Sequence, residues 1–241
     1  MAQFPRSLTA AVVLAGAAVF TMGAGRPPRP TTPTVVWNGV TWDVKTSTSA
    51  VGPGPNIFDK NNVWVDATGS LHLRIAKNAS NQWTCAEILG PSYGYGTYTF
   101  NVASRVDALD QNVVLGLFTW NDRPQYAHRE IDIEFARWGN PGDPTNGQYV
   151  VQPYDRPGHL TRITQPPSSP STHRFSWQQN RVAWESYDAS GALIDSYVYT
   201  GTDVPRSGGE RVHLNLWLFT GAAPVNGASA EVVLSSFVFV P

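Results

Sequence analysis

The residues with the clearest capacity for chemistry are Glu130, Asp132 and Glu134, spaced two apart in the stretch Glu130-Ile131-Asp132-Ile133-Glu134-Phe135. With the two-residue period of a β-strand, Ile131, Ile133 and Phe135 share one face and the three carboxylates share the other. Neighbouring carboxylates on such a face stand only ~7 Å apart along the strand. In a cleft with little water, their repulsion keeps at least one of them protonated at neutral pH. One strand then offers both an acid and a base. With 18 acidic residues in 241, the pattern arises by composition in roughly one such chain in ten. Spacing alone therefore leaves both readings open, a functional row or an accident. Two features of context bear on the choice: the chain is poor in charge overall, at 15%, and the Ile-Ile-Phe face is a convincing core face.

The elements that must position this row read as strand after strand. Asn62 to Asp66, a turn at Ala67-Thr68-Gly69, and Ser70 to Ile75 form a hairpin pattern. Gly94 to Val102, Arg181 to Tyr187 and Ser196 to Tyr199 alternate, and Glu231 to Val240 reads as the last strand. Val113 to Trp120 is nearly all apolar, which predicts a strand covered on both faces in the middle of a sheet. No helical periodicity longer than three turns follows the N-terminal region. Many short strands separated by turn signals predict an all-β, two-sheet sandwich, with a jelly roll as its form.

Upstream, Met1 to Arg6 carries a positive charge, and Leu8 to Ala24 is an apolar run ending in the small residues Met22-Gly23-Ala24-Gly25. This pattern predicts a signal peptide over residues 1–25, removed near Ala24, and hence a secreted, extracellular protein. An uncleaved anchor is the competing reading, but Gly16, Thr21 and Gly23 interrupt a run that needs ~20 apolar residues to span. Residues 26–34 are Pro- and Thr-rich and read as a linker. Residues 35–241 then suit one domain. A net charge of −1 argues against nucleic acid as a partner. With one cysteine, Cys85, no intramolecular disulfide is available, and a buried, inert thiol is expected there. No Cys/His cluster or glycine-rich phosphate loop supports a transition-metal or nucleotide enzyme.

Aromatic residues are the second clue. Trp83, Tyr93, Tyr95, Trp120, Tyr126, Trp138, Tyr154 and Trp217 stand near turns or near the acidic strand. A flat ring beside a carboxylate is a platform for the C–H face of a sugar, although any one of these rings is equally a core filler. As a group they point to a glycan cleft.

Taken together, these segments resemble glycoside hydrolase family 16, in its bacterial lichenase and xyloglucan transglycosylase branches. The resemblance is carried by Glu130 to Phe135 and by four collinear segments: Cys85-Ala86-Glu87 with Tyr93 to Tyr98, Gly116 to Thr119, His173 to Trp177, and Asn215-Leu216-Trp217. It implies a concanavalin A-like β-jelly roll with the acidic strand on the floor of a concave glycan cleft. It also implies a retaining, double-displacement endo-β-glycosidase acting on a β-glucan-like polysaccharide. In that pattern Glu130 is the nucleophile, Glu134 the general acid and base, and Asp132 the partner that tunes the nucleophile. Such a mechanism needs its two working carboxyls ~5–5.5 Å apart, whereas positions i and i+4 of a flat strand are ~13 Å apart at Cα.

Departures from the lichenase pattern surround the row. His128 replaces a Trp, Arg129 an Asp, and Leu89 an Arg; Cys85 stands at a half-cystine position without a partner, and Leu218 to Gly227 replaces a run with a second cleft Trp. Glu87, Trp120, His128, Trp138, Gln152, Tyr154 and Trp217 are the expected substrate-binding residues, with Gln152 and Tyr154 sharing a face of the next strand. A polysaccharide is the expected partner and a monomer the expected state, with no stable membrane insertion once the signal is removed. No cofactor is expected, and the sequence leaves room for a structural calcium; the acidic strand itself suits calcium poorly, because that ion wants ligands converging from loops. A non-catalytic, lectin-like glycan-binding module and a transglycosylase are the alternatives.

Overall fold

A computed structural model describes residues 32–241. The expected signal peptide, 1–25, and residues 26–31 of the expected linker lie outside the described residues. The end of that linker already belongs to the fold, since the Pro33 carbonyl accepts a 2.7 Å hydrogen bond from Val44 N and the first strand begins at Thr34.

The described residues form β1 (Thr34–Trp37), β2 (Val40–Val44), β3 (Ile57–Phe58), β4 (Val63–Val65), β5 (Leu71–Lys77), β6 (Trp83–Leu89), β7 (Gly96–Val102) and β8 (Val113–Trp120). They continue through β9 (Ile131–Phe135), β10 (Gly147–Val151), β11 (Leu160–Ile163), β12 (Ser171–Gln178), β13 (Arg181–Tyr187), β14 (Leu193–Thr200), β15 (Arg211–Leu218) and β16 (Ala230–Val240). Only short 3-10 turns interrupt them, so the all-β expectation holds among the described residues. The β4–β5 hairpin shows the local logic. Asp66 Oδ1 accepts hydrogen bonds from Thr68 N at 2.8 Å and Ser70 N at 2.9 Å, and Gly69 takes the left-handed φ of +84° that closes the turn.

Twelve strands pair in the order β11-β10-β9-β8-β15-β6-β5-β16-β7-β12-β13-β14. Between β5 and β6 only Ala76↔Thr84 and Lys77↔Trp83 pair. There the path turns over into two layers, the jelly-roll sandwich. All pairings are antiparallel except β3 with β6. The apolar alternation explains the packing. Leu115, Leu117, Ile131, Ile133, Phe135, Leu214 and Leu216 face inward from one layer and meet Leu71, Leu73, Phe100, Phe175, Trp177 and Trp184 from the other. Each such side chain contributes ~1.5–3 kcal/mol on burial, and one of the largest reaches the acidic strand itself. Trp184 Nε1–H donates to the Asp132 carbonyl at 3.0 Å, which pins β9 from below. β8 is buried from Val113 to Thr119 and lies between β9 and β15, as a two-sided apolar strand should.

Candidate active site

The acidic row faces away from the core, on the outer face of the β11-to-β6 layer. Opposed residues of antiparallel neighbours project on the same side of a sheet, so the register identifies what shares that face. Gln148, Glu134, Gly116, Asn215 and Glu87 form one row across β10, β9, β8, β15 and β6. Asp132, Phe118, His213 and Leu89 form the next. Gly116 is needed there because a Cβ would stand 2.4 Å from Asn215 Oδ1, a buried oxygen with no hydrogen-bond partner. A polar floor of this kind, buried yet incompletely paired, is suited to sugar hydroxyls.

Glu130 stands one residue before β9, with the extended backbone (φ −93°, ψ 126°) that continues the alternation, and its carbonyl accepts from Gln152 N at 3.1 Å. What delivers it is strained. Ala127, His128 and Arg129 take left-handed φ values of 49°, 55° and 53°, a conformation that costs such residues of order 1–3 kcal/mol each. Asn121 N donates to the His128 carbonyl at 2.7 Å and Thr119 Oγ1 to the Arg129 carbonyl at 2.9 Å, holding the turn in place.

Burial raises all three carboxyls above their ordinary range. For Glu130, the charge of Glu134 adds to the effect of burial, while the contact with Asp132 pulls it back down. Asp132 is pushed well up, by burial and then by both neighbouring charges; its contact with Glu130 adds to the rise and the Gln152 amide opposes it. Its Oδ2 is buried with no N–H or O–H directed at it, the environment of a carboxyl that keeps its proton. Glu134 is opposed in its rise by a 2.6 Å hydrogen bond from Gln148 Nε2 and by the charge of Arg162. Arg162 Nη1 in turn donates to Gln148 Oε1 at 3.0 Å, and Arg162 is fixed by Asp143 at 2.9 Å and Thr145 Oγ1 at 2.8 Å. The three acids therefore sit in unequal surroundings, with donors and a cation directed at Glu134 and none of these at Asp132 Oδ2.

The expected substrate-binding residues divide. Trp120 lies on the face of the row at the Glu130 end, stacked on His128 with ring centroids 3.8 Å apart at 9°. His128 thus supports Trp120 with one ring face and donates Nδ1–H to the Asn121 carbonyl at 2.9 Å. Trp217 and Trp138 meet at 6.0 Å toward the Glu134 end, with Phe219 set edge-on to Trp138 at 5.4 Å. Glu87 is on the floor, but both its oxygens are engaged, by Lys45 Nζ at 2.7 Å and His213 Nδ1 at 2.9 Å. The expectation that Gln152 and Tyr154 share a strand face needs correction. β10 ends at Val151, so both lie in the turn beyond it; Gln152 is still tied to the row, its N–H donating to the Glu130 carbonyl at 3.1 Å, whereas Tyr154 is 62% exposed. Tyr93 and Tyr95, grouped with the cleft rings, instead pack on Phe239 and Trp177 away from the carboxylates.

Gln148, Arg162, Asn215, Lys45 and His213 were not singled out by sequence reasoning. Gln148 had a signal: with strand period it shares a face with Val150 and Gln152, opposite Glu134. The others depend on cross-strand register, which no local pattern carries. Among the described residues, no group of three or more His, Cys, Asp or Glu is arranged to hold a metal ion.

A two-layer jelly roll bearing a row of buried carboxyls between flat aromatic rings has a face suited to a sugar chain. No protein-family model matches the chain. A β-glucanase of Paenibacillus macerans is 28% identical over 197 residues, 78% of this chain and 76% of that protein. Among solved structures, a Bacillus licheniformis β-glucanase superposes with a TM-score of 0.65 at 22% identity, covering 88% of this chain and 99% of that one. A glycoside hydrolase family 16 protein from the mixed-linkage glucan locus of Bacteroides ovatus, solved with a G4G4G3G product, gives 0.64 at 14%, covering 83% and 94%. The chain is thus similar in sequence to a β-glucanase and shares the fold of β-glucanase structures that include a family 16 protein, as the resemblance implied.

Proposed function

We propose that the protein is a secreted, retaining endo-β-glycosidase that hydrolyses a β-glucan-like polysaccharide. The observation that carries this reading is the acidic row itself on the outer face of the sheet: a buried Asp132 beside Glu130, and a Glu134 held separately by Gln148 and Arg162. Likeness to β-glucanases supports the substrate class. In the productive state Glu134 and Asp132 are protonated and Glu130 is ionised. Glu134 gives its proton to the glycosidic oxygen as Glu130 attacks the anomeric carbon, the C–O bond breaks, and a glycosyl–Glu130 ester forms. Asp132 donates its hydrogen bond to Glu130 and holds it ready. Glu134, now a carboxylate, takes a proton from water, whose oxygen displaces Glu130 from the anomeric carbon with net retention. The basic, apolar N-terminal stretch supports export, over residues 1–25.

The test is release of reducing ends from mixed-linkage glucan, laminarin and xyloglucan, with wild type and Glu130→Gln compared. The proposal expects one polymer to be cut and the variant to lose several orders of magnitude while staying folded. Equal binding by both proteins with no cleavage by either would make the sandwich a glycan-binding module instead. Redistribution of chain lengths without new reducing ends would indicate transfer to another sugar.

A further inference from the structure

Beside Glu130 opens a cavity of about 860 Å³, enclosed by the turn that delivers Glu130, the turn after β10, and the loop that leads into β15. Its lining is rich in cations, with Arg129, Arg156 and Arg206 all on its walls. Arg129 is only 7% exposed. Its guanidinium lies 4.2 Å over the Tyr126 ring, Nη1 donates to the Arg206 carbonyl, and Nε has no partner. Among the described residues, neither Arg129 nor the exposed Arg206 has a carboxylate within ion-pair distance. Room for Arg129 depends on Gly208, where a Cβ would stand 2.7 Å from Nη2. The acids on the same walls are Asp203 and Glu130. Asp203 is already engaged by Arg156 at 3.3 Å, His159 at 3.0 Å and the Tyr199 hydroxyl at 2.8 Å. The walls therefore carry more positive than negative charge, and one guanidinium is desolvated without a counter-ion.

A buried cation left unpaired is costly, and a neutral glucan offers it hydroxyl oxygens but no counter-charge. Guanidinium groups bind planar or tetrahedral oxyanions through parallel N–H donors. We infer that this cavity is an anion-binding subsite, in which Arg129, Arg156 and Arg206 hold a carboxylate or sulfate group carried by the sugar at or next to the bond that Glu130 attacks. This deepens the proposed function and rests on it: the substrate class becomes an acidic β-glycan, and the cavity selects for its charge.

The experiment compares mixed-linkage β-glucan with its sparsely carboxymethylated and sparsely sulfated derivatives, by kcat/KM and by retardation of the protein in gels containing each polymer. Wild type is expected to favour at least one charged polymer over the neutral parent by about tenfold or more, the scale of a single charge-assisted hydrogen bond at its weakest. Which derivative is favoured distinguishes carboxylate from sulfate. The double variant Arg156→Gln, Arg206→Gln should bring the charged-to-neutral ratio close to one, and Arg206→Gln alone, at an exposed position, supplies the same reading should the double variant not fold. Equal or weaker use of both charged polymers by wild type, or a preference that survives the substitutions, overturns the subsite. If no polymer is cut but the charged gels retard wild type more than the variants, the anion site stands and the hydrolase reading fails. If the neutral glucan is cut without any charge preference, the hydrolase reading stands and the anion site fails.

Discussion

Gln148→Met removes the 2.6 Å hydrogen bond to Glu134 Oε2 and leaves a side chain of similar length. Gln148 is buried, and its amide is oriented by Arg162 at 3.0 Å, so the donor is fixed rather than mobile. A hydrogen bond to a charged acceptor in such surroundings is worth about 1.5–3 kcal/mol. At 1.36 kcal/mol per pKa unit, that corresponds to about 1–2 units. The bond favours the ionised form of Glu134, so losing it moves the Glu134 pKa upward, further from the ordinary glutamate range. Glu134 must enter the first step protonated, and the alkaline limb of kcat/KM in the free enzyme reports that proton. The limb should therefore move to higher pH by about one unit or more, as measured by initial rates of reducing-end release across pH on the polymer that wild type cuts. An alkaline limb that stays in place, or moves to lower pH, would refute the assignment of Glu134 as the acid.

Asp132→Asn should stabilise the fold increasingly as pH rises. Burial holds the folded Asp132 pKa well above its unfolded value, so between the two the native state binds more protons than the unfolded chain and unfolding free energy falls with rising pH. Asn does not titrate, and the Tm of the variant relative to wild type should grow by at least about 2–4 °C from pH 5 to pH 8 in thermal melts, the equivalent of about 1 kcal/mol at this chain length; a constant difference would contradict a protonated Asp132. Gly116→Ala should keep the fold and lose catalytic efficiency, because its methyl group would stand 2.4 Å from Asn215 Oδ1 on the floor. Circular dichroism and kcat/KM would separate the two effects, and full activity would show that the floor does not touch substrate. Burial pushes the Cys85 thiol up to about 12, so a thiol reagent at pH 8 should label it only after denaturation.

How far the sequence reveals this protein depends on the range of the interactions involved. β8 and β13 are legible at their observed limits because alternating or unbroken apolar residues report burial locally. The acidic row is legible for the same reason, and Ile131, Ile133 and Phe135 are fully buried on the opposite face. The turn before it is not legible. Ala127 and His128 have no intrinsic preference for a left-handed backbone, and only the surrounding hydrogen bonds and the Trp120 stack hold them there. Gln148 stands opposite Glu134 on β10, whereas a strand period carried past Val151 leads to Tyr154, which lies in the turn beyond the strand. Glu87 reads as a free contact in sequence, yet Lys45 and His213, 42 and 126 residues away, take up both its oxygens. Tyr93 reads as a cleft ring, although the segment before β7 stacks it on Phe239 of β16. Cross-strand neighbours decide each of these cases, and they are written into no single segment.

The most direct test of the central claim is covalent trapping of the reaction's first step. A 2-deoxy-2-fluoro oligosaccharide with a dinitrophenyl leaving group, built on the sugar the enzyme cuts, slows hydrolysis of the glycosyl ester enough for mass spectrometry of the intact protein and its peptides. The account predicts a single adduct located on Glu130, lost in Glu130→Gln. An adduct on Glu134 or on any other residue, or turnover of the natural polymer with inversion at the anomeric carbon, would contradict it.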